Sequence, residues 1–262
     1  MGVLLMNRAT WTGPAQFIAV VLSALTLKLY YSTASVNQLR WILAPTTVLV
    51  EFVSSTQFKF ESHAGYMSSD HSFVIAASCA GVNFLITSFL MLSLRKLWRD
   101  RSRNIMWKFI PAAALIAYLA TLVANTVRIS TALLLNRTPP DISWLSPNQL
   151  HRFEGIFIYF GFLLLLFMVS ERMSSENTSG LPSRADSPRG NHGLFRQSFF
   201  PLLVYYATML GIPLANGAYR QGADFWEHSL FVLLTPLLLI LPLATFRFCR
   251  EKVRLRNAMS AH

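Results

Sequence analysis

Charge is what this sequence has least of. Only 13% of its 262 residues are charged and 53% are hydrophobic, whereas soluble domains run nearer about 25% charged, so a soluble fold is disfavoured. Acidic residues are scarcer still, with 12 Asp+Glu against 23 Lys+Arg and a net charge of +11. Cysteine is nearly absent. Cys79 and Cys249 are too few for a disulfide framework or a cysteine-rich metal site, which leaves single-thiol chemistry open. No repeat of solenoid or propeller period is present, and no convincing cleavable signal peptide. Arg8, the apolar run from Phe17 and the small residues Ser32–Ser35 resemble one only loosely, so the first apolar segment is expected to remain uncleaved.

What the chain does have is long apolar runs, at Phe17–Tyr30, Trp41–Val53, Phe73–Leu94, Phe109–Leu135, Ser146–Val169, Phe199–Ala215 and Ser229–Phe246. Crossing the hydrocarbon of a bilayer takes about 20 apolar residues, with a range of about 17–25. The third, fourth, fifth and seventh runs satisfy this readily and the sixth adequately. The first is short and contains Lys28, which could snorkel to the interface; the second is shorter, with Pro45 near its start and Glu51 near its end. The expected fold is all-α, a polytopic membrane helical bundle with about six to eight transmembrane helices, forming a single transmembrane domain over residues 1–262. Its linker-like stretch, Ser174–Gln197, is rich in Ser, Gly, Pro and Asn and reads as a mobile loop rather than a domain boundary.

The basic excess follows the same alternation. Fifteen of the 23 cations lie in three places: the loop Arg95–Lys108, the segment 171–198 and the tail 247–262. The alternate loops hold four, Lys59, Arg137, Arg152 and Arg220. The positive-inside rule then makes 171–198 a cytoplasmic loop and 247–262 a basic cytoplasmic tail. The charge is thus topological, and no nucleic-acid partner is implied; the expected surroundings are membrane lipids. Before the third run the rule is indecisive: seven crossings put the N-terminus outside, six put it inside.

Three groups stand out against this frame. Arg128 falls within an apolar helix, where a cation costs about 2.5–3.5 kcal/mol at the centre and by default marks function; the blander reading is a helix that ends earlier and an Arg that snorkels. Asn125 lies one turn before it on the same face and could bond the guanidinium or a neighbouring helix. Cys79 lies in Ser78-Cys-Ala-Gly-Val-Asn-Phe, where Ala80 and Gly81 allow close backbone approach and Asn83 is expected one turn below on the same face; a lone Cys in an apolar helix is otherwise a small buried hydrophobe. His151 follows Ser146-Pro-Asn-Gln-Leu, with Ser146 as N-cap and Pro147 as first helical residue. Gly155, one turn later, would let another helix approach the imidazole, although a single His at a boundary also fits an interfacial role.

At about 1.5 Å per residue, Cys79 is about 9 Å inward from Phe73, Arg128 about 10 Å from Leu135 and His151 about 6 Å from Pro147. The charge bias assigns all three helix ends to the outer face, so a thiol, a guanidinium and an imidazole are expected at similar depth. That set suits acyl transfer. A thiol in an apolar setting needs a nearby cation to ionise; a guanidinium supplies a fork of donors for an oxyanion; an imidazole can protonate the leaving amine and deprotonate the incoming nucleophile. Cys249 has no such neighbours and is expected to be dispensable.

The order Cys79, Arg128, His151, in the contexts Ser78-Cys79-Ala80-Gly81-Val82-Asn83-Phe84, Asn125-Thr-Val-Arg128-Ile129 and His151-Arg-Phe-Glu-Gly155, resembles the exosortase/archaeosortase family of prokaryotic polytopic membrane proteins, most nearly its K-type exosortases. The resemblance covers roughly Phe73–Val169, with weaker similarity through Ala44–Tyr66, which places a catalytic core at about 44–170. It implies a cysteine protease/transpeptidase of the cytoplasmic (inner) membrane with its site near the outer face. The implied substrates are exported proteins ending in a short PEP-CTERM-like motif, a transmembrane helix and a basic cluster. They would be held as a thioester on Cys79 and passed to water or to an acceptor such as a surface lipid or glycan precursor. No cofactor or metal is implied. Family members often have about eight spans, which leaves the N-terminal topology open.

Lesser candidates surround this set. His63, Gly65-Tyr66 and Asp70-His71 precede Cys79 and are either substrate contacts or solvated loop residues. Glu51 could pair with Arg128 or Arg40, or be an interfacial carboxylate. Trp144 fits an interfacial anchor, and Pro139-Pro140-Asp141 a chain-reversing turn. The stripes in Ile156–Phe167 and Phe231–Leu243 carry no cofactor signal. The alternative reading is a small polytopic transporter, with Arg128, Asn125 and Glu51 lining an anion path and Cys79 inert.

Overall fold

The computed structural model describes residues 12–99, 103–138, 146–176, 194–222 and 225–242. The fold is all-α in class, and five described helices are long and apolar enough to cross a membrane: Pro14–Thr33, Ala77–Arg99, Trp107–Arg137, Asn148–Met173 and Phe225–Pro242. They mark the chain as a membrane protein. Phe199–Ala215 is apolar but shorter. The count of full-length spans is therefore below the six to eight expected, among the described residues. Trp144, Pro139-Pro140-Asp141, Cys249 and the basic tail lie outside those residues, as does most of the loop 171–198.

The chain divides into two compact units, residues 1–141 and 142–262. In the first, α1 (Thr12–Thr33), α2 (Arg40–Ser54), α3 (Val82–Arg99) and α4 (Arg103–Arg137) pack with α3 at the centre. Ten consecutive residues of α3, Phe84 to Ser93, are buried, as befits a helix that is apolar all round and enclosed by others. α1 turns Gln16, Val20 and Ala24 inward at a spacing of four, while Phe17, Ile18, Leu22, Leu25 and Leu29 are exposed, an outward stripe suited to lipid. α2 has 15 residues with Pro45 inside it. At about 22 Å it falls short of the roughly 30 Å hydrocarbon layer, which is why the second apolar run is not a span.

Between α2 and α3 the sequence was expected to form only an outer loop. It instead makes a three-stranded antiparallel sheet in the order β1-β2-β3, with β1 Phe58–Glu61, β2 Gly65–Ser68 and β3 Val74–Ile75. Alternation over so few residues is too short to register as a strand pattern. Gly65 is required at its place: its φ is +123°, and a Cβ there would collide with the carbonyl oxygen of Ile75. The Glu51 carboxylate accepts the Phe58 N–H at 2.7 Å, fastening α2 to β1, so its bond goes to backbone rather than to Arg128 or Arg40. The Arg40 guanidinium lies over the Phe60 ring at 4.5 Å.

α4 has 35 residues, about 52 Å, far more than the hydrocarbon requires. Its last turn reaches the sheet region: Arg137 donates to Thr56 Oγ1 at 2.9 Å and Asn136 to the Ser72 carbonyl at 3.4 Å.

In the second unit, α5 (Pro147–Glu176) starts at Pro147 as the sequence indicates. Ser146 and Gln149 form a reciprocal capping box, with Gln149 N donating to Ser146 Oγ at 3.3 Å and Ser146 N to Gln149 Oε1 at 3.0 Å. α6 (Leu194–Tyr206) runs through a π turn at Ala207–Gly211 into the short α7 (Ile212–Ala215). It packs on α5 through Phe160 against Tyr205, with ring centroids 5.3 Å apart, and Phe167 against Phe200. The helix Phe225–Pro242, α8, is joined to α6 by the Tyr206 hydroxyl, which donates to the Leu233 carbonyl at 2.7 Å.

Candidate active site

Cys79 is not inside the long helix. It sits on a 3-10 turn, Ala77–Ala80, closed by Gly81 at φ +70°, and α3 begins only at Val82. Gly81 is therefore needed for its left-handed conformation, not only for the close approach that its size allows. The break also removes the expected alignment of Cys79 and Asn83 on one α-helical face. Residues 73–76 belong to β3 and its exit, so Phe73 is not the membrane edge from which depth should be counted. Cys79 is the third residue of the span Ala77–Arg99, and partly accessible.

The turn is gripped from α4. Asn125 is fully buried, and its Nδ2 donates to the Cys79 carbonyl oxygen at 2.6 Å. Of the two roles open to Asn125, the bond to a neighbouring segment is made. Arg128 lies one turn further along α4, partly buried. The Tyr31 phenol of α1 lies within electrostatic reach of both Cys79 and Arg128. Thiol and guanidinium are thus brought to the same part of the first unit, by two helices and the turn. Counting residues from Arg137 would have placed Arg128 about 14 Å from the end of α4, but that end extends beside the sheet, and the contact with Asn125 fixes the level instead.

α1 contributes a second cation. Lys28 does not snorkel: it continues the inward stripe of Gln16, Val20 and Ala24, and its Nζ donates to Asn83 Oδ1 at 2.7 Å in the first turn of α3. It also lies 5.9 Å from the Tyr31 ring centroid. Sequence reasoning missed Lys28 and Tyr31 as site residues. The available signal was the four-residue spacing that runs from Gln16 through Val20 and Ala24 to Lys28.

His151 belongs to the second unit. Its imidazole is about half exposed, and Nδ1 lies 3.7 Å from Oε2 of Glu154, a nearly buried carboxylate one turn on. Gly155 is buried beside it. A carboxyl group behind one ring nitrogen can orient an imidazole, so Glu154 joins the candidate residues, and the spacing His-x-x-Glu could have disclosed it. On the same helix, Gln149 Nε2 donates to Glu227 Oε1 at 3.1 Å and Arg152 lies 3.8 Å from that oxygen, tying α5 to α8.

The outer sheet carries the lesser candidates. His63 and Asp70 are exposed, whereas Gly65 and Tyr66 are buried within β2. His71 takes a left-handed φ of 56°, with Nδ1 2.8 Å from Met67 Sδ. Hydrogen bonds from the side chains of Ser68 and Ser72, then from the Ser72 backbone, hold the Asp70 carboxyl at about 2. These groups shape the turn between β2 and β3. Among the described residues no three His, Cys, Asp or Glu side chains come together to hold a metal ion. No family model matches the chain, and neither curated proteins nor solved structures give a match.

Proposed function

We propose that the protein is a membrane-embedded cysteine protease/transpeptidase of the exosortase/archaeosortase type. It would cleave the C-terminal sorting signal of exported proteins at the outer side of the prokaryotic cytoplasmic membrane. The observation that carries this reading is the Asn125 grip on the Cys79 carbonyl, 2.6 Å long. It couples the turn bearing the thiol to the helix turn that precedes Arg128.

In the proposed reaction the Cys79 thiolate attacks the scissile carbonyl, and Arg128 stabilises the oxyanion that forms. His151, with Glu154 behind it, protonates the amine as the C–N bond breaks, leaving a thioester on Cys79. Water or the amine of an acceptor, giving its proton to His151, then attacks the thioester and restores the thiolate. The substrates are exported chains with a recognition motif, a transmembrane helix and a basic cluster, and the acceptor is a lipid or glycan precursor. On the transport alternative Asn125 and Glu51 would line a path, yet both side chains already bond backbone groups.

The test is covalent trapping. Full-length protein co-expressed with a tagged substrate of that form should yield a hydroxylamine-sensitive adduct at Cys79, lost in Cys79→Ala and Cys79→Ser and kept in Cys249→Ser. Processing that survives Cys79→Ala would overturn the assignment.

A further inference from the structure

Lys28 is the strongest feature that the proposed reaction leaves unused. It lies on the inward face of α1, half-buried, and its Nζ bonds Asn83 Oδ1 at 2.7 Å. Asn83 is in the first turn of α3, two residues after the left-handed Gly81 that closes the Cys79 turn. Tyr31, one turn after Lys28 on the same face, is within electrostatic reach of Cys79 and of Arg128. The turn is therefore held from both sides: at the Cys79 carbonyl by Asn125 of α4, and at Asn83 by Lys28 of α1.

Packing alone does not explain this arrangement. A Leu or Met at position 28 would extend the stripe of Val20 and Ala24 without desolvating a charge. The carbonyl oxygen of the Asn83 side chain could also have been satisfied by a neutral donor. What the ammonium adds is a positive charge fixed beside the segment that presents the thiol.

We propose that Lys28 is a positioning residue for Cys79, which it holds through Asn83 while making the approach to the thiol favourable to anionic groups. The inference rests on the reading of Cys79 as the nucleophile, and it concerns how that thiol is set and what charge it meets.

Small thiol reagents test it without any substrate. In full-length protein carrying Cys249→Ser, Cys79 is labelled with an anionic sulfonatoethyl and a cationic trimethylammonioethyl methanethiosulfonate. The ratio of the two rates is then compared among variants, because thiol ionisation acts on both reagents alike and cancels. Lys28→Met should lower the anionic-to-cationic ratio several-fold, the scale of removing one nearby unit charge from a largely aqueous approach. Lys28→Arg should keep it. Asn83→Leu, which leaves the charge in place but frees it from the turn, should also lower the ratio and serves if Lys28→Met does not fold. A ratio unchanged in both Lys28→Met and Asn83→Leu overturns the proposal, as does a Lys28→Arg protein that behaves like Lys28→Met. A wild-type protein that forms no substrate adduct, while the ratio still falls in Lys28→Met, would instead count against the proteolytic reading alone.

Discussion

The amide of Asn125 donates to the backbone carbonyl of Cys79 across 2.6 Å, joining two residues 46 positions apart in the sequence. Asn125 has no exposed surface, so the bond is shielded from water and ties the turn bearing the thiol to α4.

Removing that amide should therefore loosen the Cys79 turn. Asn125→Leu leaves the Cys79 carbonyl without this donor, at a cost of about 1–3 kcal/mol, and Asn125→Asp adds a charge that repels the carbonyl. Thermal unfolding in detergent should show the midpoint falling for both, further for Asp. Processing should drop more than the unfolded fraction explains. Wild-type processing by Asn125→Leu would deny the grip its role.

Arg128→Lys separates charge from geometry. Lysine keeps the positive charge but not the planar fork of donors, so substrate processing should fall by about 10²–10³-fold, the scale for losing an oxyanion donor. The unfolding midpoint should stay close to wild type. Substrate binding, measured with the Cys79→Ala background, should change little. Full activity with Lys would limit Arg128 to a structural charge.

Glu154→Gln should act on the imidazole. The Glu154 carboxyl lies 3.7 Å from His151 Nδ1, and its replacement by an amide changes the group placed to orient the ring. Processing should fall by at least about tenfold, with the unfolding midpoint close to wild type. His151→Ala should lose about 10²–10⁴-fold. Wild-type processing by Glu154→Gln would leave the carboxyl without a part in the chemistry.

Gly65→Ala should destabilise the outer sheet. The added Cβ meets the Ile75 carbonyl, and φ of +123° is a glycine conformation; strain of this kind costs about 1–3 kcal/mol. Because β3 leads directly into the Cys79 turn, protection of the Ile75 and Cys79 amides in hydrogen exchange should fall together. A loss confined to β1 and β2 would separate the sheet from the site.

Asp70 sets an acid limit on the same region. Its pKa is depressed from 3.8 to about 2 by the hydrogen bonds of Ser68 and Ser72, so its contribution to folding is complete above about pH 4 and is lost as pH falls toward 2. Hydrogen exchange at Ser72 and Phe73 should accelerate over that window in wild type, and Asp70→Asn should flatten the dependence. An acid response unaltered in Asp70→Asn would assign it to other groups.

Composition alone determined the membrane class, because a chain so poor in charge and so rich in runs near 20 apolar residues has few other ways to satisfy its backbone. It also marked the polar residues that an apolar helix would not keep without reason: Cys79, Asn125, Arg128 and His151. The N-cap at Ser146 was legible too, since capping is a local matter of three or four residues. What periodicity could not show was the sheet of Phe58–Ile75, whose strands are too short to leave a pattern, or the 3-10 turn that takes Cys79 out of α3. Nor could it give the partners. That Asn125 bonds Cys79, that Lys28 faces Asn83 instead of the interface, and that Glu51 fastens β1 were decided only by tertiary structure. Each is a contact between distant residues, set by which helix faces meet and by how far α4 extends beyond the others.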